Sequence, residues 1–256
     1  MVALASLRSH LVGSRLAGEV ATTAANSLTN IGYLLEGRPG YTFGLSDWKD
    51  ATFDEVLVAV EAAGGRLRGQ PSEGPSGIDG DYAVAAIARQ RDALAPLLAG
   101  AGGRVLVATG HPFALLAHYG AIARALAAAG VEVLRPLEGR RGLLRAADGR
   151  ACSLRYLDGV ACLFQDAGLQ HTHRPQYMEA MLAEVGGADV IDLVVADHGF
   201  AGAAAEAGIP TLAIADVNDP ALPLAQARGR PIAVVVIDDG LDATLFAPVT
   251  AAILPQ

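Results

Sequence analysis

The sequence predicts an α/β fold: an open, mainly parallel sheet with helices on both faces, a helical N-terminal portion and an antiparallel β-meander insertion. Three observations predict it. From Arg104 onward, short runs that are apolar throughout alternate with helical stretches, as in a parallel sheet covered on both sides. Much of residues 1–100 reads as helix. Between about 142 and 164, two Asp-Gly pairs punctuate short strands. The 256 residues are read as a single α/β domain, 1–100 mainly helical and 101–256 carrying the sheet.

Taken in order, residues 3–36 have few helix breakers and read as helical. "GRPGYTFGLSD" reads as a loop, and "ATFDEVLVAVEAAGG" as a helix ended by Gly64-Gly65. "RGQPSEGPSGIDGD" is rich in Pro, Gly and Ser and reads as a linker or loop. "DYAVAAIARQRDALAPLLAGAGG" returns to helix. Then come "RVLVAT", a helix over 112–129, and "VEVLRP". After the meander follow "DVIDLVVAD", a helix over 199–207, "TLAIAD", a helix over 220–228, and "PIAVVVIDD".

Composition narrows the function classes. With 52% hydrophobic and 18% charged residues the chain affords a sizeable core, which disordered chains lack. A net charge of -8 argues against a nucleic-acid binder, which would carry a basic patch. No window approaches the ~18 uncharged apolar residues of a membrane span. "MVALASLRSHLVGSRLAGEV" has no positively charged start, so no signal peptide and a cytoplasmic location are expected. Cys152 and Cys162 flank a hairpin turning at Asp158-Gly159. Pairing Leu157 with Val160 puts the thiols on opposite faces, so no disulfide and no shared zinc site are expected.

In open α/β sheets ligands bind beyond the carboxyl ends of the strands. Thr109, Gly110 and His111 follow the first such strand. Asp197-His198-Gly199, then Asp216, Asn218 and Asp219, then Asp238 and Asp239 follow the others. "QHTHRP" adds His171, His173 and Arg174 before another helix. Pro112, Pro175 and Pro220 each start a helix just after a polar residue, where a missing N–H costs nothing. Helix N-termini facing that rim suit an anion such as phosphate. Aspartates on the same rim would repel it unless a divalent cation, Mg²⁺ or Mn²⁺, lay between.

Plainer explanations exist for each residue. Asp197 and Asp219 each precede a helix and suit its N-cap. His118 lies two turns after His111, on the face with Leu115 and Ile122, as a packed helix histidine does. His171 and His173 share a face in extended chain, yet loop histidines without a role are common. Asp238-Asp239-Gly240 reads equally as a turn, and His10 has no evident partner. What distinguishes the set is its convergence on one edge. The dinucleotide fingerprint, the P-loop and the G-x-S-x-G elbow are all absent from the sequence.

"ATGHPFALLAHYGAIARALAAAGVEVL", "DHGFAGAAAEAGIPTLAIADVNDPAL", the late "DD" and "SRLAGEVATTAANSL" resemble a bacterial family of phosphatases. The resemblance spans most of the chain and implies a phosphate monoester as substrate. The resulting expectation is a metal-assisted phosphatase acting on a small phosphorylated metabolite. Asp197, Asp216, Asn218 and Asp219 are expected to hold the cation, and Thr109 and Gly110 phosphate oxygens. His173 and Arg174 are expected to bind substrate charge, and His198, then His111, to transfer protons beside Asp197. The alternatives are an isomerase or transferase using a nucleotide or sugar phosphate, and a non-catalytic anion-binding protein. The reaction path stays open between a covalent phospho-enzyme and direct attack by water.

Overall fold

Two sheets organise the computed structural model, which describes residues 4–140 and 142–254. Residue 3 of the expected first helix lies outside them. The chain begins with α1 (Leu4–Gly13), β1 (Gly18–Thr23) and α2 (Ala24–Leu35). Then come α3 (Pro39–Thr42), α4 (Phe53–Ala62), β2 (Gly65–Arg66), β3 (Pro75–Ile78) and α5 (Gly80–Pro96). The side chains of Thr23, Thr52 and Asp79 cap α2, α4 and α5 by accepting backbone N–H groups of the first turn.

The first hundred residues are therefore less helical than their sequence suggests. β1, β3 and β2 form a small antiparallel sheet in that order, and β3 lies inside the expected linker. These strands escape a pattern reading for a physical reason. They are short and glycine-bearing, and β1 buries only Val20, so no alternation marks them.

The large sheet follows the predicted plan. Its strands are β4 (Arg104–Thr109), β5 (Glu132–Val133), β6 (Leu144–Arg145), β7 (Ala151–Leu157), β8 (Val160–Gln165), β9 (Gly168–Leu169), β10 (Leu193–Asp197), β11 (Thr211–Ala215) and β12 (Ile232–Val236). The order is β12-β11-β10-β4-β8-β7-β6. From β12 to β8 all neighbours are parallel, while β6, β7 and β9 pair antiparallel and make the meander. The expected strand "VEVLRP" shrinks to β5 because β4 divides its edge. Arg104 and Val105 pair with β5, whereas Ala108 and Thr109 pair with β8. Asp158 and Gly159 turn the hairpin with φ of 50° and 85°, and Leu157 faces Val160 as expected. Both cysteines are buried and free.

The remaining helices are α6 (Pro112–Ala128), α7 (Gln176–Val185), α8 (His198–Glu206), α9 (Ala221–Ala227) and α10 (Ala247–Ile253). α6 packs on β4 and β8, α5 on β12, and α10 bridges α5 and α6. α8 packs on β10 and β11 between α7 and α9, on the other face. Leu106, Val107, Val194 and Val195 lie between these layers at no more than 1% exposure. Each such residue contributes roughly 1.5–3 kcal/mol of burial. One apolar core runs from Leu7 to Ile253, so the N-terminal portion shares it with the sheet.

The crossovers leave β4 and β10 in opposite directions. β4 leads through α6 toward β5 and β8, while β10 leads through α8 and α9 to β11 and β12. A crevice must open between the carboxyl ends of β4 and β10.

Candidate active site

At that crevice the last residue of β10 meets the first residues beyond β4. Asp197 is fully buried and sits at the N-cap position of α8, but its side chain caps nothing. It accepts instead from Thr109 Oγ1 (2.6 Å), the Gly110 N–H (2.7 Å) and His198 Nδ1 (2.7 Å). These three donors occupy both oxygens. Thr109 and Gly110, expected on phosphate, thus spend their donors on Asp197, and Asp197, expected on a cation, serves as their acceptor.

Two glycines permit this closeness. A Cβ on Gly110 would lie 2.3 Å from the carbonyl oxygen of Thr172, and one on Gly199 would lie 2.4 Å from that of His173. The chain between β9 and α7 is thereby pressed against the starts of α6 and α8. His198 adopts φ of 46°, a left-handed conformation rare for a residue with a side chain.

Nδ1 of His198 donates to Asp197, so Nε2 is the ring atom left for chemistry. It lies 3.5 Å from Asp219 Oδ2 and 3.7 Å from Asp239 Oδ2. Burial opposes a charge on this ring, but Asp219, the hydrogen bond to Asp197 and Asp239 outweigh it and push its pKa up to about 10. Burial, tempered by His198, raises Asp219 to about 6. Asp216 is raised well above its usual range, first by burial and then by Asp239 and Asp219. Burial would raise Asp239 too, but the neighbouring His111 and the charge of His198 hold it low. No lysine or arginine is buried among the described residues, so the histidines answer these carboxylates alone.

The other imidazoles line the mouth. His111 Nδ1 is 3.5 Å from Asp239 Oδ1, and its ring stacks on His171 at 4.5 Å. Burial lowers the His111 pKa, but Asp239 outweighs it and the net shift is upward. His173 Nδ1 donates to the carbonyl of Gly40, so its bare Nε2 accepts from His171 Nε2 at 3.0 Å. His171 Nδ1 is then the unprotonated atom. Burial first, then the charge of His198, pulls His171 down to about 3 and His173 to about 4, so both rings are neutral. Phe43 meets the rings of His173 and His198 edge-on.

Other expected residues land elsewhere. Asn218 turns away from the carboxylates: its side chain donates to Asn26, and its carbonyl accepts from Asn30. Asp216 accepts from Thr22 Oγ1 and the Val217 N–H. Asp219 does not cap α9, since Pro220 holds that position. Asp238 makes the turn the sequence allowed by accepting from Gly240, while Asp239 reaches into the site. Arg174 is half-buried, and no carboxylate pairs with its guanidinium among the described residues. His118 is packed in α6 against Thr250, and His10 bonds the carbonyl of Leu245. Sequence reasoning missed the contributions of Thr22, Gly40 and Phe43; a backbone carbonyl leaves no mark in a sequence.

Donor atoms of His198, Asp219 and Asp239 lie within 4.8 Å of one another, as do those of His111, His171 and His198. Asp239 Oδ2 is buried with no hydrogen-bond partner. Such an arrangement can hold a cation on the carboxylates, beside a free guanidinium that suits an anion.

A profile describing a family named Phosphatase matches residues 2–256. The chain belongs to this Phosphatase family. Phosphatase SCO2771 of Streptomyces coelicolor (strain ATCC BAA-471 / A3(2) / M145) is 37% identical over 258 residues, covering 98% of this chain and 95% of the relative. No solved structure matches significantly. Within this Phosphatase family member, no helix among the described residues is long and apolar enough to cross a membrane.

Proposed function

We propose that this chain is a metal-assisted phosphomonoesterase acting on a small phosphorylated metabolite, in a reducing cytoplasmic setting that suits its two free thiols. One observation carries the reading: His198 Nε2, Asp219 and Asp239 converge in a buried site where Asp239 Oδ2 lacks a partner. A field that holds a proton on His198 so firmly favours a metal cation on the same grounds. His198, Asp219 and Asp239 would hold the ion. One imidazole beside two carboxylates suits Mn²⁺ better than Mg²⁺. When bound, such an ion polarises a phosphoryl oxygen and acidifies a water.

The chain's own residues do the rest. Asp197 fixes the tautomer and angle of His198, as carboxylates behind metal-binding histidines do. Gly40 does the same for His173 through its carbonyl, and His173 in turn orients His171. Arg174 attracts the substrate's negative charge. His111, at the mouth beside Asp239, is placed to hand a proton to the leaving oxygen.

The test is phosphate release from a panel of small phosphomonoesters with Mn²⁺, with Mg²⁺ and with chelator, alongside the metal content of the purified protein. We expect Mn²⁺-dependent release, abolished by chelator and by Asp239→Asn. Release that survives both would overturn the reading. Tight phosphate-ester binding without release would point to the non-catalytic alternative.

A further inference from the structure

Beside His171 lies a cleft of about 200 Å³ that the reading above leaves without a role. One wall is the turn between β6 and β7 with the end of β8, carrying Ala147, Leu163 and Gln165, and the other carries Gln170, His171 and Arg174. We propose that this cleft is the leaving-group subsite, and that it takes a small polyhydroxylated alcohol, the size of a sugar or polyol. The proposal rests on the phosphatase reading, because it places the ester oxygen of the substrate at the His171 end.

The hydrogen-bond directions decide the chemical class. Nε2 of Gln165 donates to both oxygens of Asp148, at 3.2 and 3.1 Å. Nε2 of Gln170 donates to the carbonyls of Gln165 and Gly168, at 3.1 and 3.3 Å. Carboxylate and carbonyl oxygens only accept, so neither amide can be flipped. Both glutamines thus anchor their NH2 groups on the protein, Gln170 through two carbonyls and Gln165 through one N–H shared by the Asp148 carboxylate, which leaves Gln165 a second N–H. Their Oε1 atoms accept from no protein donor among the described residues. Arg174 adds an unpaired donor fork on the same wall. Acceptors and donors on the residues that line one cleft match hydroxyl groups, which give and take hydrogen bonds in turn.

Size narrows the class further. At roughly 30 Å³ per water the cleft holds about six or seven waters. A hexitol or a sugar ring matches that space, whereas a nucleoside would project from the open cleft into solvent. His171 joins the cleft to the metal-capable cluster through its stack on His111.

Sorbitol 6-phosphate, adenosine 5′-monophosphate and phenyl phosphate probe the cleft. We expect kcat/KM for sorbitol 6-phosphate to exceed that for the nucleotide at least tenfold. Ala147 is exposed on a turn, so Ala147→Trp fills the cleft from the surface without entering the core. It should raise KM for sorbitol 6-phosphate at least tenfold and leave inhibition by inorganic phosphate within twofold. Equal use of all three esters, with Ala147→Trp indifferent to the leaving group, overturns the subsite while the phosphatase reading survives. A readout independent of turnover separates the two further. Titration with sorbitol 6-phosphate should shift the side-chain amide resonances of Gln165 and Gln170. Shifts without phosphate release keep the subsite and sink the catalytic reading. Absence of both shifts and release overturns the subsite as well.

Discussion

Asp197 and His198 are consecutive in sequence, yet their side chains are hydrogen-bonded at 2.7 Å inside the protein, because His198 takes the left-handed backbone conformation that ends β10. The pair joins the sheet to its chemistry. The carboxylate gathers donors from the end of β4, and the imidazole turns Nε2 toward Asp219 and Asp239.

Asp197→Asn should keep the shape and lose the tautomer. An amide cannot accept from Thr109, Gly110 and His198 with both ends. Loss of a carboxylate behind a metal-binding histidine costs about 10- to 100-fold in metal affinity. Calorimetric titration of the variant with Mn²⁺ should show that loss, with activity falling at least as far. Unchanged affinity would separate Asp197 from any ion.

Asp216→Asn should stabilise the metal-free protein near neutral pH. Burial and two neighbouring carboxylates disfavour the Asp216 charge, and an asparagine can still bond Thr22 and Val217. Relief of about 1 kcal/mol corresponds to a rise of roughly 2–4 °C in Tm for a chain of this size. A lowered Tm in the presence of chelator would refute the repulsion argument.

Gly110→Ala and Gly199→Ala should both unfasten the loop before α7. The added methyl meets backbone at 2.3–2.4 Å, which no side-chain rotation can relieve. Overpacking of this kind costs roughly 1–3 kcal/mol. Denaturant unfolding should show that loss, and activity should drop further than stability because His171 and His173 ride on the displaced segment.

Acid should destabilise the fold through His118, far from the chemistry. Complete burial lowers its pKa from 6.5 to about 4. The unfolded chain therefore binds the proton more readily between those values, and stability is lost as pH falls from about 6.5 toward 4. At ~1.4 kcal/mol per pH unit the loss reaches roughly 3 kcal/mol. His118→Gln should flatten that part of the stability profile measured by urea unfolding; an unchanged slope would exclude His118 as its source.

The parallel sheet, the meander and the rim were legible in the sequence because apolar runs and Asp-Gly turns have strong local causes. Asp197, His198 and Asp219 were legible as strand-end residues. Their division of labour was not, because it depends on which donors the neighbouring strand supplies. Asp239 stood on the rim beside Asp238 but read equally as half of a turn, and only packing separates the two. Gly40 and the small N-terminal sheet stayed hidden for a related reason: a carbonyl contact and two- to six-residue strands impose no periodicity.

The site also spans nearly the whole polypeptide. Ala21, at the edge of the rim, donates its N–H to Asp238, 217 residues later. Synthesis runs from the N-terminus, so a growing chain carries its wall long before the carboxylates that the wall encloses. A chain truncated before β12 lacks the carboxylates that follow that strand. In the proposed reading a fragment ending before β12 should be inert however well its remaining sheet forms.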